Sequence, residues 1–256
     1  MPTGAELLQR LQRNISEMSD STDSAELTER VYFAEIHDLF HVEFYGSPFD
    51  DAYDLLHQTM CAAEVASRLR SLTLRGPDEG SNGTRNWDLT GIVDSDARFP
   101  CLNMVFIEGT APDHHNQTII GYDYDEEGQL GRLLAKTPVL ESLTVPSAPD
   151  ASFFQAGSRP LRYLQVDTGY ACQDFLLHLS RSDCFPDLEI LDFSDYNQRY
   201  MEDYAEQCAP FEHYEQLFRS NAFRPVRKFT LGNSNLSHEQ LIRLGSIRND
   251  LAFDVR

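Results

Sequence analysis

Few side chains in this sequence stand at a spacing that suggests chemistry. The most suggestive run is Asp123-x-Asp125-x-Glu127–Gly128, which partly copies a calcium-binding loop. Its twelfth position is Leu134, where such loops place a glutamate that grips the ion with both oxygens. A complete coordination shell is therefore not expected, and the run reads as an acidic lead into a helix. His114–His115 has no further ligand at metal-binding spacing and reads as a solvated turn. No His-Glu-x-x-His, Gly-x-Ser-x-Gly, phosphate-binding loop or dinucleotide glycine pattern occurs. The sequence thus predicts no catalytic residue, no metal and no cofactor. An enzyme using carboxylates of the loops, with a metal, is the opposing alternative.

The elements that would position side chains are far more legible. Apolar residues recur at relative positions 1, 4 and 6 in Leu69–Leu72–Leu74, Leu102–Val105–Ile107 and Leu140–Leu143–Val145. The same spacing returns in Leu161–Leu164–Val166, Leu188–Leu191–Phe193 and Val226–Phe229–Leu231, with a weaker copy at Leu251, Phe253 and Val255. Pro100, Pro138, Pro160, Pro186 and Pro225 stand one or two residues before five of them. Alternation at period two predicts half-buried strands. Recurrence at repeat length predicts units that bury their apolar faces only by stacking. Between the strands, Leu130, Leu133 and Leu134, then Phe175, Leu176 and Leu179, then Tyr214, Leu217 and Phe218, are spaced for helix faces. Leu241 and Leu244 continue the pattern behind Ser237-x-x-Gln240, a capping box.

With this alternation the chain resembles the leucine-rich repeat family, whose pattern opens Leu-x-x-Leu-x-Leu. The resemblance implies an α/β solenoid, curved, with a parallel sheet on the concave side and helices on the convex side. Phrases such as Phe185–Pro186–Asp187–Leu188–Glu189 and Leu231–Gly232–Asn233–Ser234 make the stretch from Arg68 to Leu236 similar to bacterial cytoplasmic leucine-rich-repeat proteins. The usual Asn or Cys three residues past the last core leucine is missing from most copies. The motifs are structural and carry no catalytic assignment.

Residues 1–67 are expected to form an N-terminal α/β cap on the first repeat. Its parts are a short helix with Leu7, Leu8, Leu11 and Ile15, a loose link from Ser19 to Ser24, one or two strands over 31–45, and a helix over 50–67. Residues 68–256 supply six to seven repeats, and the whole reads as a single domain. The first core positions, at 69, 102, 140, 161, 188 and 226, lie 33, 38, 21, 27 and 38 residues apart. Ordinary units run about 20–29 residues. Insertions are therefore expected after three strands, at Gly76–Asp88, Thr110–Gly128 and Asp195–Phe211.

Charge and cysteines bound the function. Forty-one acids against twenty-one bases give −20 in 256 residues, which disfavours nucleic acid or an anionic membrane as partner and allows a basic protein. Five cysteines without a Cys-x-x-Cys pair fit a reducing compartment. The start of the sequence lacks a basic segment followed by an apolar one, so a cytoplasmic location is expected. In register, Met104, Phe106, Tyr163 and Ile190 would form an apolar patch on the outward sheet face, bordered by Glu108, Asp167 and Asp192. Tyr196, Tyr200 and Tyr204 in the third insertion would add an acidic, tyrosine-rich rim, unless these rings pack over the sheet edge. The expected function is a non-enzymatic scaffold or adaptor binding another protein, with an immunity or antitoxin protein directed at a basic toxin as the alternative.

Overall fold

Each apolar triplet ends in a strand, and none of the six has a residue more than 3% exposed. The computed structural model describes residues 2–19, 30–78, 83–111, 114–121, 126–196 and 204–256. The order begins α1 (Gly4–Ser19), β1 (Arg30–Ile36), β2 (Leu39–Tyr45), α2 (Asp51–Met60), α3 (Ala63–Ala66) and β3 (Leu69–Arg75). Then come β4 (Thr84–Trp87), α4 (Thr90–Val93), β5 (Met104–Ile107), β6 (Gln117–Ile120), α5 (Gln129–Lys136) and β7 (Ser142–Val145). A 3-10 turn at Ala151–Gln155 precedes β8 (Tyr163–Asp167), α6 (Phe175–Ser180) and β9 (Ile190–Ser194). The chain continues through α7 (Tyr204–Gln207), α8 (Phe211–Arg219), β10 (Lys228–Gly232), α9 (His238–Ile247) and β11 (Ala252–Val255).

Among the described residues nine strands form one open sheet in the order β1-β2-β3-β5-β7-β8-β9-β10-β11. All neighbours are parallel except the β1–β2 hairpin. The register is regular, so Leu72, Val105, Leu143, Leu164, Leu191, Phe229 and Phe253 lie in one row across the strands. Such rows bury their side chains against the helices. Phe193 stacks on Phe175 of α6 at 5.7 Å and meets Tyr214 of α8 edge-on at 6.2 Å. Phe218 packs on Phe229 and Phe253. Leu130, Leu133, Leu134, Leu176, Leu179 and Leu217 complete the same core. The fold is thus α/β, with a large, mostly parallel sheet carrying helices on its apolar face.

Three of the prolines before the strands share a physical role. Leu102 N–H donates to Phe99 O, Leu140 to Thr137 O, Leu188 to Phe185 O and Val226 to Phe223 O, at 3.2–3.3 Å. Each is a four-residue turn that swings the chain into the sheet. Pro100, Pro138 and Pro186 occupy its first corner, where the ring-fixed φ is already correct. The capping box at Ser237 is complete. Its hydroxyl accepts from Gln240 N–H at 3.3 Å, and the Gln240 side chain accepts from Ser237 N–H at 2.8 Å.

The N-terminal third differs in detail from the expectation. Helix α1 runs sixteen residues and buries Leu8, Leu11 and Ile15; Gln12 Nε2 donates to Val31 O at 2.9 Å. The expected single helix over 50–67 is broken, because Ala62 adopts an extended backbone (φ −63°, ψ 132°) between α2 and α3. The first two insertions are also more ordered than loops. They contribute β4 and β6, which pair in parallel as a second, two-stranded sheet with Trp87 opposite Ile120. Trp87 and Arg85 are fully buried there.

Candidate interaction face

The face of the large sheet opposite the helices presents the residues between the apolar positions. One row runs Ser71, Met104, Ser142, Tyr163, Ile190, Lys228 and Ala252. The next runs Thr73, Phe106, Thr144, Gln165, Asp192, Thr230 and Asp254. Met104, Phe106, Tyr163, Ile190 and Asp192 stand in these rows as expected from the sequence. Met104 is 37% exposed, while Phe106, Tyr163 and Ile190 are half-buried between neighbouring strands.

The face divides into two chemically different halves. Near β3 and β5, the Arg75 guanidinium lies over the Phe106 ring, 5.2 Å from its centre. It also stands 3.7 Å from a Glu43 oxygen and 4.0 Å from one of Glu108. These half-exposed pairs contribute little stability individually, but they place a cation among acids over an aromatic ring.

Near β8, β9 and β10 the carboxylates dominate. The Tyr163 hydroxyl lies 2.9 Å from both Gln165 Oε1 and Asp192 Oδ2 and shares its single proton between them. Burial and the adjacent Asp192 charge hold that phenol well above its ordinary range. The Asp167 side chain presses against the Gly109 backbone, where an added Cβ would lie 2.2 Å from Oδ2. Burial, then the charge of Asp192, raises the Asp167 carboxyl to about 6.

Asp167 and Ser194 pair across β8 and β9, and Ser194 pairs with Gly232 of β10. Since Gly232 has no side chain and Ser194 a small one, this row dips into a notch of about 240 Å³. Gln165, Asp192, Phe193, Thr230, Asn233 and Arg256 line the rest of it. Asn233 donates its side-chain N–H to Ser194 Oγ at 2.9 Å. Arg256 is largely exposed, with Nε 4.0 Å from Asp254 Oδ2. The sequence reading placed Asp167 and Asp192 here but missed Thr230, Ser194, Gly232 and Arg256 as lining residues. Thr230 shares the row of Gln165 and Asp192, whereas Ser194 and Gly232 lie in the row beginning at Asp167, which the triplet pattern does not mark.

The expected tyrosine rim is placed differently. Tyr196 is only 5% exposed and stacks on the half-buried Tyr204 at 6.1 Å. The Tyr204 hydroxyl donates to Asn233 O at 2.8 Å. These two rings pack against the loop edge, and Tyr200 lies outside the described residues. The anchor of this loop is Asp195, which is 2% exposed. Its carboxylate accepts from Tyr196 N–H (2.8 Å), Ala209 N–H (3.1 Å), the Tyr214 hydroxyl (2.5 Å) and Cys172 Sγ (2.9 Å). Burial pushes the Asp195 carboxyl upward, and burial with the neighbouring carboxylate raises the Cys172 thiol.

Other candidate chemistry resolves into structure. Asp123 and Asp125 lie outside the described residues. Beside them Glu126 is buried and accepts from Leu130 N–H at 2.9 Å and Asp150 N–H at 3.0 Å. It therefore satisfies a free N–H in the first turn of α5 and ties in the loop after β7. His115 Nδ1 lies 2.7 Å from Asp78 Oδ2 at the surface. Among the described residues no group of three or more His, Cys, Asp or Glu is arranged to hold a metal. No described helix is long and apolar enough to cross a membrane. No protein-family model matches the chain, and no curated protein matches it in sequence.

Proposed function

We propose that this chain is a capped leucine-rich-repeat solenoid that binds another protein on its outward sheet face and acts by binding alone. Strands in chain order, a recurring entry turn and helices on one face support the solenoid reading. Residues 1–67 serve as its N-terminal cap, with α1 packed on the β1–β2 hairpin. The observation that carries the functional reading is the composition of the outward rows. Met104, Phe106, Tyr163 and Ile190 lie in register beside Glu108, Asp167 and Asp192 on a face that the helical core does not use. Apolar and aromatic groups ringed by charge are the usual make-up of a protein-binding patch. The net charge of −20 favours a basic protein, met in the cytoplasm through a salt-sensitive encounter. It disfavours nucleic acid and anionic lipid. A basic toxin held by an acidic immunity protein is one partner of this chemistry.

The test is an affinity capture from native lysate at low and moderate salt. Wild type is compared with a folded double variant, Phe106→Ala with Tyr163→Ala. A stoichiometric partner held by wild type and lost by the variant supports recognition on the sheet face. A partner held equally by both moves recognition off this face, and turnover of a substrate in the same fractions overturns the binding-only reading.

A further inference from the structure

We infer that the notch between β8, β9 and β10 receives a single basic side chain, a lysine or arginine projecting from the partner protein. The inference rests on the reading of this face as a protein-binding surface and names the group it takes. A volume of about 240 Å³ is below the range of cofactor and drug-sized sites, about 300–1,000 Å³. It suits one long side chain. The lining is built to accept hydrogen bonds from a donor-only group. Thr230 is 3% exposed, and among the described residues its hydroxyl has no partner. Asp192 uses Oδ2 on Tyr163, while Oδ1 is buried without a partner among the described residues. Buried polar atoms of this kind are normally satisfied, so both mark positions that a ligand donor completes.

The sign of the charge follows from the same residues. Asp167 and Asp192 contribute two carboxylates, and Arg256 at the mouth is largely exposed and stands near Asp254. A lysine ammonium has three donors and no acceptor, and an arginine guanidinium has five and none. Either fits this set, whereas an anion would meet two carboxylates against the single guanidinium of Arg256. Among the described residues no group of three or more His, Cys, Asp or Glu is arranged to hold a metal, so the two carboxylates are assigned to an organic cation. The floor exists because Gly232 is bare. A Cβ there would reach Ser194 Oγ at 3.1 Å, and a branched side chain would occupy the space while leaving every charge in place.

The experiment is an NMR titration of the full chain with three capped pentapeptides, Gly-Ser-Xaa-Ser-Gly, where Xaa is arginine, lysine or norleucine. We expect saturable amide shifts centred on Gln165, Asp192, Ser194 and Thr230 with the arginine or lysine peptide and none with norleucine. Whichever basic peptide binds more tightly identifies the preferred side chain. Asp192→Asn and Thr230→Val should each weaken binding at least tenfold, and Gly232→Val should abolish it. Asp187→Asn, an exposed charge outside the notch, should change it less than twofold. Folding of each variant is checked by the fluorescence of buried Trp87. Shifts spread over the acidic surface, or equal losses for Asp187→Asn and Asp192→Asn, would overturn the notch and reveal diffuse attraction only. So would binding that survives Gly232→Val in a folded protein. Each of those outcomes is compatible with partner capture that still depends on Phe106 and Tyr163, so failure of the notch is separable from failure of the face.

Discussion

Replacing Asp167 by asparagine should stabilise this protein at neutral pH and leave it unchanged in acid. The Asp167 carboxyl is raised from 3.8 to about 6 in the fold, by burial first and by Asp192 second. The folded chain therefore binds the proton more tightly than the unfolded chain. Below about pH 4 both states are protonated and the residue costs nothing. Between about pH 4 and 6 stability falls as pH rises, and above 6 the full cost is present. A displacement of this size corresponds to about 3 kcal/mol. Water reaching the half-buried carboxylate screens it, which brings the expected gain for Asp167→Asn at pH 7.5 to about 1–3 kcal/mol. Urea unfolding from pH 3.5 to 8 measures it directly, since Trp87 is the only tryptophan and is fully buried. The variant-minus-wild-type difference isolates Asp167, because the other titrating groups are common to both proteins. A difference that is flat across this range would refute the reasoning, as would a wild type more stable than Asp167→Asn above pH 6.

Three further substitutions probe the frame around the face, each read by the same urea unfolding. Asp195→Ala leaves Tyr196 N–H, Ala209 N–H and the Tyr214 hydroxyl without their shared acceptor in a buried site. It should cost about 3 kcal/mol or more, and a loss under 1 would show that water replaces the carboxylate. Glu126→Ala removes the acceptor for Leu130 and Asp150 N–H and should cost about 2 kcal/mol. Ser237→Ala opens the capping box of α9 and should cost about 1 kcal/mol, which Ser237→Asp, a residue able to cap the same N–H, should largely restore.

The large sheet was legible because its signal is local and repeated. Leu188, Leu191 and Phe193 alternate with polar residues, follow a proline turn and recur in six registers, so the outward rows could be written down from spacing alone. Helices α5, α6 and α8 were legible for the same reason, their buried faces falling at Leu130, Phe175 and Tyr214. The second sheet was not. Its paired strands lie 33 residues apart, each has four residues, and neither Thr84–Trp87 nor Gln117–Ile120 repeats a triplet. Tyr196 misled because composition is blind to direction. An acidic, tyrosine-rich insertion reads the same whether its rings face a partner or stack, and the outcome was set by Asp195 turning inward to gather four donors. The notch was hidden for a third reason. Thr230 and Gly232 come beside Asp192 and Ser194 only when β9 and β10 are laid side by side, and Gly109 reaches Asp167 from the loop after β5.

The two halves of the outward face make opposite demands on the fold. Around Phe106, Arg75 lies among Glu43 and Glu108, so the acids there carry a local counter-charge within the chain. Around Thr230, Asp167 is held against its own charge by burial and by Asp192, and two polar atoms stand buried without partners among the described residues. Stability alone favours an amide or an apolar residue in place of Asp167. A local conflict with folding of this kind is characteristic of a functional surface. A basic side chain seated in the notch favours the ionised form of Asp167 and supplies donors to Thr230 and Asp192. Partner binding would then offset the cost that the free chain carries above pH 6. The residues that weaken the isolated fold would then be the ones that make the proposed complex specific.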